Sequence, residues 1–159
     1  MNIQLERTKK IFYASGLVVI TGGILSLIYY AYLMPLHVDE SGWWFHYTNK
    51  SYQYRFIAAN LDPNHTLTIY LAKISLWMFG NTGIGLRFPV IVFSVLSVGV
   101  FYLFVKKVTG SSLTGVIGTS LLYLNPFFLH YSHELRGYSA YFFFLVCCYL
   151  CFTRLLEKG

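Results

Sequence analysis

From Ile11 to Leu33 the chain runs for 23 residues without one charged side chain. A helix crossing the hydrocarbon core of a bilayer needs about 20 largely apolar residues, and a chain of 159 residues holds little else that could cover such a run in water. Three further apolar stretches follow, at 84–105, 111–130 and 137–156. Outside them little remains to build a soluble core, since 56 % of the residues are hydrophobic and only 11 % charged. The expected fold class is therefore all-α: a polytopic transmembrane helical bundle of about four spans, forming a single membrane domain over residues 1–159.

Arg7, Lys9 and Lys10 precede the first run, so a cytoplasmic tail (1–10) leads into span 11–33 and the loop 34–83 begins on the outer face. The first run is too long for the apolar region of a signal peptide and no small-residue cleavage site follows, so it reads as a retained anchor. Within the loop, Trp43, Tyr47, Tyr54, Ile57, Ala58 and Leu61 recur at helical intervals, marking an interfacial helix at about 40–61. A second helix at about 66–80 is too short to span and carries Lys73. Laying it flat places Lys106, Lys107, Arg154 and Lys158 in the cytoplasm, so that side holds seven of the twelve basic residues, while Asp39, Glu40, Asp62 and Glu134 put four of the six acids outside. Counting the segment as a crossing gives the five-span alternative, which reverses that distribution.

The net charge of +6 does not signal nucleic-acid binding, because the basic residues sit at helix ends and form no stripe. Cys147, Cys148 and Cys151 lie inside the last apolar run and read as small packing residues. Ser111, Gly115 and Thr119, with Thr114 and Gly118, give the third span two rows of small residues for close approach of a helix in this chain or another. Pro89 and Pro126 stand near helix ends, where proline is tolerated.

Chemistry-bearing residues collect on the outer face. Asp39 and Glu40 follow the first span directly, where a carboxylate can accept a proton from a hydroxyl or hold a divalent cation. His65 begins the second interfacial helix at that face. The segment His130-Tyr131-Ser132-His133-Glu134-Leu135-Arg136 emerges there between the third and fourth spans. Arg87, Arg136 and Lys73 fall on this side against the positive-inside trend, as a site for a phosphate-bearing lipid requires. No acidic residue lies near the middle of a span, so a transporter's ion relay lacks its usual parts.

In order along the chain, Asp39-Glu40, Asp62-Pro63-Asn64-His65-Thr66-Leu67, Trp77-Met78-Phe79-Gly80, Leu86-Arg87-Phe88-Pro89 and Tyr131-Ser132-His133-Glu134-Leu135-Arg136-Gly137-Tyr138-Ser139 resemble the GT-C glycosyltransferases of the protein O-mannosyltransferase-like type. The resemblance implies inverting transfer of a sugar from a polyprenyl-phosphate-linked donor to an acceptor hydroxyl at the outer membrane surface. Asp39, with Glu40 beside it, matches the acidic residue taken to bind or activate the acceptor, and these two are the expected catalytic residues. Arg87, Glu134 and Arg136 match positions near the donor phosphate and the groove wall. With His65 they make up the expected substrate-binding set, although His65-Thr66-Leu67 replaces the family's frequent His-Pro-Pro. Metal need is open: no cofactor is fixed by the residues, and Asp39, Glu40 and His65 offer donors for a divalent cation without the spacing of a known site. Family members are far longer, with many more spans. The expectation is thus an amino-terminal module completed by a carboxy-terminal part or a partner membrane subunit. A non-catalytic subunit that binds a lipid phosphate or a partner protein is the alternative. Expected partners are the lipid-linked sugar donor and membrane lipids, and no nucleic acid.

Overall fold

The computed structural model describes residues 2–38, 40–42, 44 and 66–156. Among them every regular element is helical: α1 (Asn2–Leu33), α2 (Thr66–Phe79), α3 (Gly83–Thr109), α4 (Ser112–Leu124), α5 (Pro126–Tyr131) and α6 (Tyr138–Leu156). Three helices among the described residues are long and apolar enough to cross a membrane: Glu6–Leu33, Gly83–Thr109 and Tyr138–Leu156. The expected interfacial helix at 40–61 falls mostly outside the described residues. The second expected loop helix is α2, whose buried Thr68, Ile69, Ala72 and Ser75 form one face. Ala72 and Leu76 of that helix pack on Leu86 and Val90 of α3.

Local chemistry sets the ends of α3. Thr82 leaves the helical region and its hydroxyl accepts from Gly85 N at 3.0 Å, satisfying one of the donors that a helix start leaves open. At the other end Gly110 takes a left-handed conformation, φ 67°, which a side chain would oppose. This turn lets α4 fold back along α3.

Pairings along the helices fix their directions. Gly16 meets Val116 and Gly23 meets Tyr123, so α1 and α4 run parallel. Leu27 packs with Val98 and Tyr123, while Arg87, eleven residues earlier than Val98, reaches Ala31, which makes α3 antiparallel to α1. Phe101 touches Phe142 and Phe104 touches Tyr149, so α6 runs with α3. Lys9, Lys10, Lys106, Lys107 and Arg154 consequently share one end of the bundle, and Glu40, Arg87, Glu134 and Arg136 share the other.

The expected span at 111–130 is not one helix. Pro126 has no N–H to give Leu122 O, the acceptor that an unbroken helix would assign to it. Asn125 N donates to that carbonyl instead, at 3.2 Å, and the Asn125 backbone turns extended (φ −74°, ψ 116°). The Asn125 side chain then accepts from Phe127 N and Phe128 N at 2.9 and 3.3 Å and starts α5, with Pro126 in the tolerated first position. The 13 residues of α4 rise only about 20 Å, short of the ~30 Å hydrocarbon core.

The small-residue rows of α4 are used inside the chain. Gly115 lies against Tyr102 and Gly118 against Val105 of α3, and Gly16 of α1 faces Val116. Ser120 Oγ donates to Val116 O at 2.8 Å and lies 3.3 Å from Gly16 O across the seam. Cys148 and Cys151, expected as packing residues, stand on the exposed side of α6, and Cys147 is half-buried. A Cβ on Gly23 would come within 2.3 Å of the Tyr123 ring, whereas one on Gly22 would meet nothing within 4 Å. Gly23→Ala is therefore expected to destabilise the protein by about 1–3 kcal/mol through overpacking. Gly22→Ala should leave thermal unfolding in detergent unchanged or slightly improved.

Candidate active site

A helix end exposes carbonyls with no partner of their own, and α1 ends against Pro35, which cannot extend it. Arg87, in the second turn of α3, takes up those carbonyls. Its Nη1 donates to Ala31 O at 3.1 Å and Met34 O at 2.8 Å, and its Nη2 donates to Pro35 O at 3.0 Å. The remaining two N–H groups go to Glu40: Nε to Oε1 at 3.0 Å and Nη2 to Oε2 at 2.5 Å. All five guanidinium donors are thus engaged, on a residue that is only 2 % exposed.

Glu40 is equally enclosed. Beyond Arg87, its Oε1 accepts from Leu135 N at 2.7 Å and its Oε2 from His37 N at 2.9 Å. Burial pushes the carboxyl upward. The Arg87 hydrogen bonds, the backbone N–H groups of His37 and Leu135, and the guanidinium charge together outweigh it, leaving Glu40 below its ordinary value. One carboxylate therefore binds the segment after α1, the start of α3 and the loop before α6.

That last loop carries a second polar cluster. Glu134, also buried, places Oε1 3.2 Å from His130 Nε2 and Oε2 3.2 Å from Arg136 Nε. The His130 side chain is 57 % exposed and that of Arg136 27 %, so this cluster opens outward where the Arg87–Glu40 pair does not. His133 stacks on Tyr30 of α1 at 5.7 Å, and its Nδ1 lies 2.9 Å from Leu129 O. Because a carbonyl only accepts, that nitrogen carries the proton. Burial, with the Arg87 charge nearby, holds His133 below the ordinary imidazole value in spite of the Leu129 contact, which keeps it neutral at neutral pH.

Of the residues expected from sequence, Asp39 and His65 lie outside the described residues. Glu40, Arg87, Glu134 and Arg136 come together at one end of the bundle. Arg87, expected beside the donor phosphate, has no N–H left to offer one, because Glu40 and three carbonyls hold them all. The more exposed basic side chains at this end are instead those of His130 and Arg136, both held by Glu134. Sequence reasoning missed the Leu135 N–H as a partner of Glu40 and Tyr30 as the platform for His133. Neither carries a compositional signal, since one is backbone and the other a tyrosine among many. Among the described residues, no group of three or more His, Cys, Asp or Glu could hold a metal ion.

Residues 64–159, which include Arg87, Glu134 and Arg136, match the family model of the dolichyl-phosphate-mannose-protein mannosyltransferases. The chain belongs to this family. Membership makes it a membrane protein of the GT-C glycosyltransferase type, in a family whose sugar donors are lipid-linked. No curated protein and no solved structure matches it.

For this mannosyltransferase-family chain, removing either partner of the buried pair leaves an uncompensated charge. Arg87→Met and Glu40→Gln are each expected to destabilise by about 3–5 kcal/mol, and the double variant by clearly less than the sum, in a denaturation cycle run in detergent. Stability should also fall in acid. The folded Glu40 carboxyl holds its proton less tightly than the unfolded one, so its contribution is complete above the ordinary carboxyl value of 4.5 and is lost as pH drops below it through the folded value. The His133 contribution has the same sign over a higher range, so the difference between wild type and Glu40→Gln, measured against pH, isolates Glu40.

Proposed function

We propose that the chain transfers a sugar from a polyprenyl-phosphate-linked donor to an acceptor hydroxyl at the outer membrane–water interface, with Asp39 as the acceptor-side carboxylate. The observation that carries this reading is the anchoring of Glu40, the residue next to Asp39 in sequence, by Arg87 and the Leu135 N–H. A rigid neighbour fixes where the following chemistry occurs, and proximity is a large part of what a transferase contributes. In this assignment Glu40 positions and Asp39 reacts.

In the proposed reaction the acceptor oxygen attacks the anomeric carbon from the face opposite the phosphate. The bond from that carbon to the phosphate oxygen breaks, inverting the configuration, and the acceptor proton passes to Asp39. The leaving polyprenyl phosphate gains negative charge, which Arg136 and His130 stabilise, with Glu134 orienting both. Arg87 is assigned a positioning role, and His65 stays a candidate for the substrate side. The gathering of Lys9, Lys10, Lys106, Lys107 and Arg154 at the other end of the bundle supports an orientation in which the site faces away from the cytoplasm.

Membranes containing the chain are expected to transfer sugar from a polyprenyl-phosphate donor, and Asp39→Asn to lose at least about a hundredfold of that rate at matched protein level. Equal rates in the two preparations would remove Asp39 from the mechanism. Absence of transfer in both would leave the chain, taken alone, as a non-catalytic module.

A further inference from the structure

The outward side of α2 is apolar, while its hydroxyls and its one charge are turned inward, the reverse of what a helix washed by water shows. Leu67, Ile74, Trp77, Met78 and Phe79 are exposed, Leu67 to 50 % and Trp77 to 86 %. Thr68 and Ser75 are buried with their hydroxyl oxygens enclosed. Lys73 carries the only charge in the helix, and its ammonium is enclosed as well, 5.8 Å from the centre of the Tyr70 ring. A lysine on a helix at a water surface extends its ammonium into the water. Here the ammonium is drawn in, and the outward surface of α2 is left without charge.

Three contacts give the direction of α2 relative to α3. Phe79 lies against Phe88 with ring centroids 4.6 Å apart, a Cβ on Gly85 would stand 3.6 Å from Leu76, and Ala72 shares a buried cluster with Leu86 and Val90. Going back along α2 therefore means going forward along α3, and the two form an antiparallel hairpin. Gly80 helps close it, with a φ of 79° that a side chain would oppose. Because α3 is long and apolar enough to cross the membrane, the N-terminal end of α2 points from the Arg87 end of the bundle toward the middle of the bilayer. The 14 residues of α2 rise about 21 Å, too little to cross a hydrocarbon core of ~30 Å but enough to enter it. A helix that enters without crossing leaves the parity of the later spans, and with it the distribution of basic residues, unchanged.

We propose that α2 stands in the bilayer along α3, in the leaflet on the Arg87 side, with its outward row in contact with lipid acyl chains, rather than lying flat on the membrane surface. That row continues the exposed side of the spanning helix α3 through Phe88, which Phe79 touches. Acyl chains offer no hydrogen bonds and no charge, and the row asks for neither. On its other side α2 shares the apolar cluster of Leu36, Leu86 and Leu135, which come from the segments that the Arg87–Glu40 pair joins. The lipid that holds α2 thus acts on the depth at which that pair sits. The proposal concerns the seating of the chain in the membrane and is independent of sugar transfer.

The test is quenching of tryptophan fluorescence by bromine-labelled phosphatidylcholine, with the full chain in bilayers of that lipid. Trp43→Phe and Trp44→Phe leave Trp77 as the only tryptophan. A second protein adds Trp77→Phe and Leu67→Trp, which moves the indole to the opposite end of the exposed row. Trp77 is expected to be quenched best by bromine near the head group and the indole at position 67 best by bromine near the chain ends, a difference in depth of about 10–15 Å. Equal depths would mean that the helix lies flat, and weak quenching at both sites would mean that water or protein covers the row. Either result overturns the proposal. Ile74→Trp in the same background guards against a failure of Leu67→Trp to insert: its indole is expected about 4 Å deeper than Trp77, and an equal or shallower depth there overturns the proposal too.

Discussion

The buried Arg87–Glu40 pair ties the segment after α1, the start of α3 and the loop before α6 together, on top of the apolar contacts that Leu36, Leu86, Val90 and Leu135 make among them. Two opposite charges out of water are tolerable only when every donor and acceptor finds a partner. Here five guanidinium N–H groups and two carboxylate oxygens are all satisfied by each other and by the backbone. Because three of those partners are carbonyls at the end of α1 and one is the N–H of Leu135, the pair fixes the loops as well as the helices. Apolar helix packing is non-directional and would allow α1 to slide along α3. The guanidinium fork permits one register.

The sequence revealed the helices far better than their connections. Apolar runs made α1, α3 and α6 visible, and Thr82 and Gly110 bound α3 through local chemistry that needs no distant partner. Pro126 was legible as a residue near a helix end, but the apolar run around it concealed the need for a separate helix, which depends on Asn125 supplying the cap. Arg87 stood out by lying on the wrong side for a cation. Its partner did not stand out, since 47 residues separate Arg87 from Glu40, and the three remaining Arg87 bonds go to carbonyls, which every residue has. A charge that defies the topology rule can mark a ligand site or an internal lock, and only the fold distinguishes them.

The same division runs through the site. The clustering of Glu134, Arg136 and the histidines was readable because they are close in sequence and on one side of the membrane by parity. Their differing accessibility was not: Glu134 is enclosed while His130 projects outward, a distinction made by the short α5 helix and the turn after it. One end of the bundle therefore holds an inner pair that bears the architecture and an outer, more exposed cluster.

The shortness of α4 bears on the lipid around it. Beside it run helices of 27 and 32 residues, so the apolar belt of the protein is uneven in height. A bilayer meets a low stretch of belt by thinning, drawing its head groups toward the mid-plane at that point. A helix this short therefore asks the bilayer beside it to thin, or the residues flanking it to reach outward.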